Sequence, residues 1–241
     1  MSDTIQFEKT IQLEISNLID ISTDFKNIKL VKREKNERGK KVTIYQMKEN
    51  SLIATAPSLY DDIKKFKDNH LSSKISIDEL KNELKLNNHK IRDKTIYMFL
   101  NPLDYSDVLV KDGYKISKID KGYKNEFDEF KKECTKKDLD EGLVSVEDEV
   151  VYGCFYDDKL VGVASYWFWG EKLADIGVVI HPNHRKLGLG KALVTKLCDW
   201  GIKNGKINLY RHNERNKKSH ELALSVNFKQ HIIVEDMVID Y

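Results

Sequence analysis

The spacing of apolar residues cuts the chain into short helical and alternating stretches separated by polar seams. Phe7, Ile11, Ile15 and Leu18, with Leu13, Ile19 and Ile21 between and after them, predict a helix over 7–21. Runs at 27–33, 42–48 and 51–56 read as strands, and the charged segment 34–41 reads as a solvated turn or hairpin loop. Pro57 suits the start of a helix over 58–69 that turns Leu59, Ile63 and Phe66 to one face. Ser76 with Glu79 makes a capping box for a helix to about Leu86. A buried strand at 95–100 follows, then a linker around Asn101-Pro102, Asp104, Ser106 and Asp107. Beyond it the pattern predicts a strand at 114–119 and a helix at 125–134 with Phe127 and Phe130 inward. An acidic helix or loop at 138–146 comes next. Strands at 150–156 and 160–168 meet at an Asp157-Asp158 turn. A strand ending at Ile180, a helix from Leu189 to about Asn204, a strand at 207–210, a helix at 216–226 and a strand at 232–239 complete the chain. The second part is therefore a mixed α/β domain of order β-α-α-β-β-β-α-β-α-β.

Charge narrows the class. The 241 residues hold 41 Lys and Arg against 39 Asp and Glu, which argues against a nucleic-acid binder working by broad electrostatics. A salt-sensitive contact limited to the lysines of 32–41 is the residual form of that reading. The three cysteines, Cys134, Cys154 and Cys198, are scattered, form no metal-ligand spacing and fit a reducing compartment. With no leader pattern and no membrane-length apolar run, the expectation is a cytoplasmic protein without membrane or metal partners.

The chemistry concentrates in 174–192, ADIGVVIHPNHRKLGLGKA. A β-branched run stops at Pro182, a basic turn carries Gly188 and Gly190, and an amphipathic helix begins at Leu189. Glycines admit an anion close to the backbone, and a helix N-terminus offers unpaired N–H groups. An ordinary strand-turn-helix would use the same glycines for geometry alone.

The order of elements, with Arg185-x-x-Gly188-x-Gly190 after the fourth strand, resembles the GNAT superfamily of acetyl-CoA-dependent acyltransferases over about 112–241. Ile180-x-Pro182-x-x-Arg185 is similar to the family's V-x-P-x-x-R, Asn216-x-x-Ser219 to its N-x-x-S/A, and Val226-Asn227-Phe228 to its L-G-F, with Asn227 in the glycine's place. Gly162-Val163-Ala164-Ser165-Tyr166 and Tyr210-Arg211 further resemble bacterial members with an extra N-terminal region. The resemblance implies an α/β (α+β) fold: a mixed, mostly antiparallel sheet flanked by helices, beside a smaller N-terminal α/β domain over 1–105. That first region is either a degenerate GNAT-like half or a substrate or homodimer module.

By the same resemblance, Val178, Val179 and Ile180 pair with the pantetheine arm of acetyl-CoA, with a bulge at Gly177 splaying their strand from 207–210. Leu187, Gly188, Leu189, Gly190 and Lys191 cradle the pyrophosphate, Arg185 or Lys186 meets a phosphate, and Asn216 and Ser219 touch the cofactor. The implied reaction is transfer of acetyl to a primary amine of a small molecule or peptide, with a CoA-binding sensor or scaffold as the alternative. Two positions depart from the pattern. Ala223 stands where the family's acid Tyr is usual, leaving Tyr210 as a substitute. The base is Asp175, Glu171 or a water relay. Tyr166, Trp167 and Glu141 are the acceptor-site candidates, the last within an acidic group with Asp138 and Asp140.

Overall fold

The computed structural model describes residues 3–18, 27–70, 72, 74–85 and 89–239, so the ends assigned to the first helix (19–21) and the third (Leu86) lie outside the described residues. Contacts divide the chain into two compact units. The first holds 1–97, 213–216 and 230–241; the second holds 98–212 and 217–229. Residues 230–241, expected with the second part, thus cluster with the first.

In the first unit, helix α1 (Asp3–Leu18) precedes β1 (Ile28–Lys32), β2 (Lys41–Gln46) and β3 (Ser51–Thr55). Helices α2 (Tyr60–Asn69) and α3 (Ile77–Glu83), the short β4 (Lys90–Ile91) and the start of β5 (Thr95–Phe99) follow. β1 pairs with β3 in parallel, whereas β2 pairs antiparallel with β3 and with β11 (Lys229–Val238). The hairpin option for 34–41 is therefore corrected: this segment carries the chain past β3's place to the next position. Its Asn36 is buried and donates to the Lys41 and Ala54 carbonyls, ties across the chain that a local reading does not see. The capping box at Ser76 and Glu79 forms as predicted. Leu30, Val42, Ile44, Ile53, Ile63, Leu80 and Met237 make the core.

In the second unit, β6 (Tyr114–Ile119), β7 (Val151–Tyr156), β8 (Lys159–Trp169) and β9 (Leu173–Ile180) form an antiparallel series. β10 (Ile207–Asn213) joins β9 in parallel, so the sheet is mixed and mostly antiparallel as expected. Helices α4 (Lys124–Lys132) and α5 (Lys136–Gly142) pack against β8 and β9, burying Phe127 and Phe130 against Val163 and Val179. Tyr166 and Phe168 turn to the opposite face and stack near Trp200 of α6 (Leu189–Lys203), which lies beside α7 (Lys217–Ser225). Asp157 and Asp158 both take positive φ, 46° and 59°, as a tight hairpin requires. Asn227 holds φ 65° in the glycine's place, as its tolerance of that region allows.

Candidate active site

The site begins where two parallel strands part. β9 and β10 pair only from Leu173↔Ile207 to Asp175↔Leu209, although both strands continue. His181 N–H donates to the Val161 carbonyl at 2.9 Å, so the backbone groups of Gly177 and Val179 also face β8. Those of Val178 and Ile180 consequently face the gap. The expected bulge at Gly177 is absent: the β8–β9 register runs unbroken from Gly162↔Ile180 to Trp169↔Leu173. Gly177 instead answers the end of α5, since a Cβ there would stand 2.4 Å from the Gly142 oxygen and 2.6 Å from that of Leu143.

The turn after β9 is built for close approach. Asn183 N–H donates to His181 Nδ1, whose Nε2 meets the Glu133 carboxylate at 2.5 Å. Lys186 takes φ 61° and Gly188, the N-cap of α6, takes φ 77° with no side chain capping the helix. The first intrahelical donor is Ala192, to Gly188 O at 3.0 Å, which leaves the amides of Leu189, Gly190 and Lys191 ahead of the ladder. A Cβ on Gly188 would meet nothing within 4 Å, so its glycine serves the φ angle and the way to the amides is open. These groups fit a phosphate-bearing arm: uncapped donors, the positive end of a helix and no carbon in front of them.

The two basic residues of the turn divide their work. Arg185 Nε donates to the Ile180 carbonyl at 3.1 Å and its Nη2 lies 2.8 Å from Asp138 Oδ2. It braces the end of β9 to α5. Burial acts to raise the Asp138 carboxyl, but Arg185 and Thr135 bring it below its ordinary range. Asp138 is thus spent on this brace. Lys186 is exposed and, among the described residues, forms no ion pair.

Side-chain alternation sorts the other candidates. Asp175 is buried and receives Arg211 Nε at 2.8 Å and Nη2 at 2.5 Å, so the two share a face. Burial raises the Asp175 carboxyl, partly opposed by Arg211. Arg211 also lies over the Trp169 ring at 4.3 Å, and Trp167 is 64% exposed at the position paired with Asp175. Tyr210, the neighbour of Arg211, points to the other face. There its hydroxyl meets Ser219 Oγ of α7 at 3.0 Å, and burial pushes its phenol up to about 12. The two catalytic candidates therefore stand on opposite sides of the sheet.

Tyr166 is corrected as an acceptor residue. It is 1% exposed, and its hydroxyl is committed to the Leu197 carbonyl at 2.8 Å and to Asn208. Glu141 lies on the exposed side of α5, 3.7 Å from Lys137, and Glu171 sits in the turn between β8 and β9, away from the gap. Asn216 belongs to the 213–216 segment of the first unit, where Asn213 and Arg215 reach Asp93. Three features escaped the sequence reading: Arg211 as the partner of Asp175, the Asp148–Ser165 bond at 2.6 Å, and a His212–His220 contact at 3.1 Å. Arg211 was findable, being two residues from Leu209 and so on its face; the other two need the fold.

A strand pair that parts ahead of an uncapped, glycine-led helix offers outward backbone groups beside open amides that suit an anionic ligand. Residues 116–228 match the model of the acetyltransferase (GNAT) family, and this stretch is a GNAT acetyltransferase domain, which makes the protein an acyltransferase. A GNAT-family acetyltransferase from Colwellia psychrerythraea is 14% identical with TM-score 0.51, over 77% of this chain and 76% of that one. A Drosophila protein is 10% identical with TM-score 0.52, over 97% and 88%. At such identities the likeness carries the fold. No curated protein sequence matches the chain.

Proposed function

We propose that the protein transfers the acetyl group of acetyl-CoA to a primary amine of a small molecule or peptide by direct attack within a ternary complex. The observation that carries this reading is the gap between β9 and β10, with Val178 and Ile180 backbone groups turned into it, ahead of the uncapped start of α6. When bound, acetyl-CoA supplies an activated acyl carbonyl and a thiol leaving group. Val178 N–H is the oxyanion donor in this reading, a contribution of about 2.7–4 kcal/mol where such donors have been removed. The amides of 187–191 and Lys186 hold phosphate, and Ser219 completes the carrier's contacts by the family pattern. Holding both reactants together lowers such a barrier by roughly 7–11 kcal/mol in favourable cases.

Asp175 takes the amine's proton. It lies at the last paired position before the strands part, on the face where Trp167 is exposed, and its raised carboxyl is a better base than an ordinary Asp. The rest of the acceptor surface is Trp167 and, more peripherally, Glu141. The fully buried Ala223, in place of a phenol, favours a second reading in which the domain binds CoA without turnover. Calorimetric titration with acetyl-CoA tests the shared claim, and absence of binding sinks both. Amine-dependent release of free CoA across an acceptor panel then separates them.

A further inference from the structure

The pair His212 and His220 has no part in the reading above. His212 is 6% exposed on β10, and its Nε2 lies 3.1 Å from Nδ1 of His220 on α7, the rings meeting edge to face at 72°. His212 is two residues from Tyr210 and shares its face. Continuing the parallel register from Leu209↔Asp175 by three residues sets His212 level with Val178, across the gap into which Val178 N–H points. His220 is half-buried and, among the described residues, its Nε2 has no hydrogen-bond partner. It stands one turn before Ala223, the position where the family resemblance implies an acid Tyr.

We propose that His220 is the proton donor to the departing thiolate and that His212 is its positioning residue; the assignment rests on the acyl-CoA reading. Protonated His220 donates Nδ1–H to His212 Nε2, which orients the ring and leaves Nε2–H for delivery. As the amine nitrogen bonds to the acyl carbon, the carbon–sulfur bond breaks and its electron pair leaves on sulfur. His220 Nε2 gives its proton to that sulfur, and Asp175, on the opposite face of the sheet, takes the proton from the amine. Solvent carries one proton from Asp175 back to His220, so atoms and charge balance over a turnover. Polar groups near the pair include Tyr210, held by Ser219 on the same face, and, within a turn of His220 along α7, Lys217, Lys218 and Glu221.

The test uses the full chain, with CoA and desulfo-CoA as binding probes and acetyl-CoA as substrate. In the native protein CoA binds more tightly than desulfo-CoA, and His220→Ala abolishes that preference while leaving desulfo-CoA binding unchanged. Turnover of acetyl-CoA falls by about a hundredfold, the lower end for a lost general acid, because a thiol is a fair leaving group. His220→Gln keeps a hydrogen-bonding side chain beside His212 but delivers no proton, and it falls with His220→Ala. His212→Phe, which removes the ring nitrogen facing His220 Nδ1, lowers turnover while desulfo-CoA binding holds, and His212→Asn, which restores an acceptor there, recovers part of it. A native CoA preference that persists in His220→Ala, or full turnover in His220→Gln, overturns the histidine assignment alone. Failure of the native protein to bind either probe overturns the acyl-CoA reading and the assignment with it.

Discussion

Asp175 ionises against its surroundings. Burial raises its carboxyl, and the Arg211 guanidinium pulls it only part of the way back. The pH dependence follows from the sign. A carboxyl raised by the fold favours its neutral form there, so its stabilising contribution is full below the unfolded value and is lost as pH rises through the folded one. A base in the same site works only once ionised. The acid limb of kcat/KM is therefore expected above the ordinary Asp value of about 3.9. Arg211→Gln removes the charge that holds the carboxyl down and moves that limb to still higher pH; an unmoved limb in the pH–rate profile argues against Asp175 as base. Asp175→Asn lowers kcat by roughly a hundredfold or more while acetyl-CoA affinity holds. Tyr210 is the contrasting case. Its phenol is raised to about 12 and bonded to Ser219, so it stays neutral across the working range and suits a structural bond in the sheet.

At the scale of elements, two glycines of one strand-turn-helix serve different ends. Gly177 lets the end of α5 lie against β9, where a Cβ would meet backbone oxygens at 2.4 and 2.6 Å. Gly188 adopts φ 77° before α6 with open space around it. Gly177→Ala is expected to cost about 1–3 kcal/mol of stability, as overpacking does, and lowers Tm. Gly188→Val strains a left-handed position by about 1–2 kcal/mol and puts a branched side chain before the free amides, so acetyl-CoA affinity falls more than Tm. Thermal melts beside calorimetry separate the two; a loss of affinity without loss of Tm in Gly177→Ala contradicts this division. In the first unit, Ser76→Ala removes a complete capping box and is expected to cost about 1 kcal/mol by denaturant titration. That motif was legible because both partners lie within one helical turn. The β1–β3 pairing was not, because no local property of Ile28–Lys32 says which later strand it will meet.

For the whole molecule, the division into units sets where the chain can be cut. The Ile233↔Gln46 to Val238↔Lys41 ladder ties the last strand to the first unit, and Met237 is fully buried in that unit's core. A fragment spanning 98–241 keeps this strand without its partner and exposes an apolar edge. It is expected to aggregate, whereas one ending at residue 229 stays soluble; equal solubility in sedimentation counts against the assignment of 230–241. Glu235 adds a reason for the attachment. It is 1% exposed, and its carboxylate meets Lys94 at 2.8 Å and Gln46 at 2.6 Å, so removing Lys94 strips a buried carboxylate of its counter-charge.

What the sequence by itself determined about this protein is what depends on neighbours along the chain: most helices and strands, the Ser76 cap, the paired aspartates of the β7–β8 turn, and the glycine-led start of α6. The proposed acyl-CoA cradle belongs here, since it lies within one strand-turn-helix. Only the tertiary structure decided which side chains share a face across strands and helices. Arg211 meets Asp175, Asp138 pairs with Arg185, Tyr166 goes under α6, and His212 finds His220. Each of these is a charge or ring whose character is set by a partner distant in sequence, and that partner is chosen by burial and strand register. The proposed carrier seat is therefore local and readable, whereas the proposed proton chemistry rests on the assembled sheet.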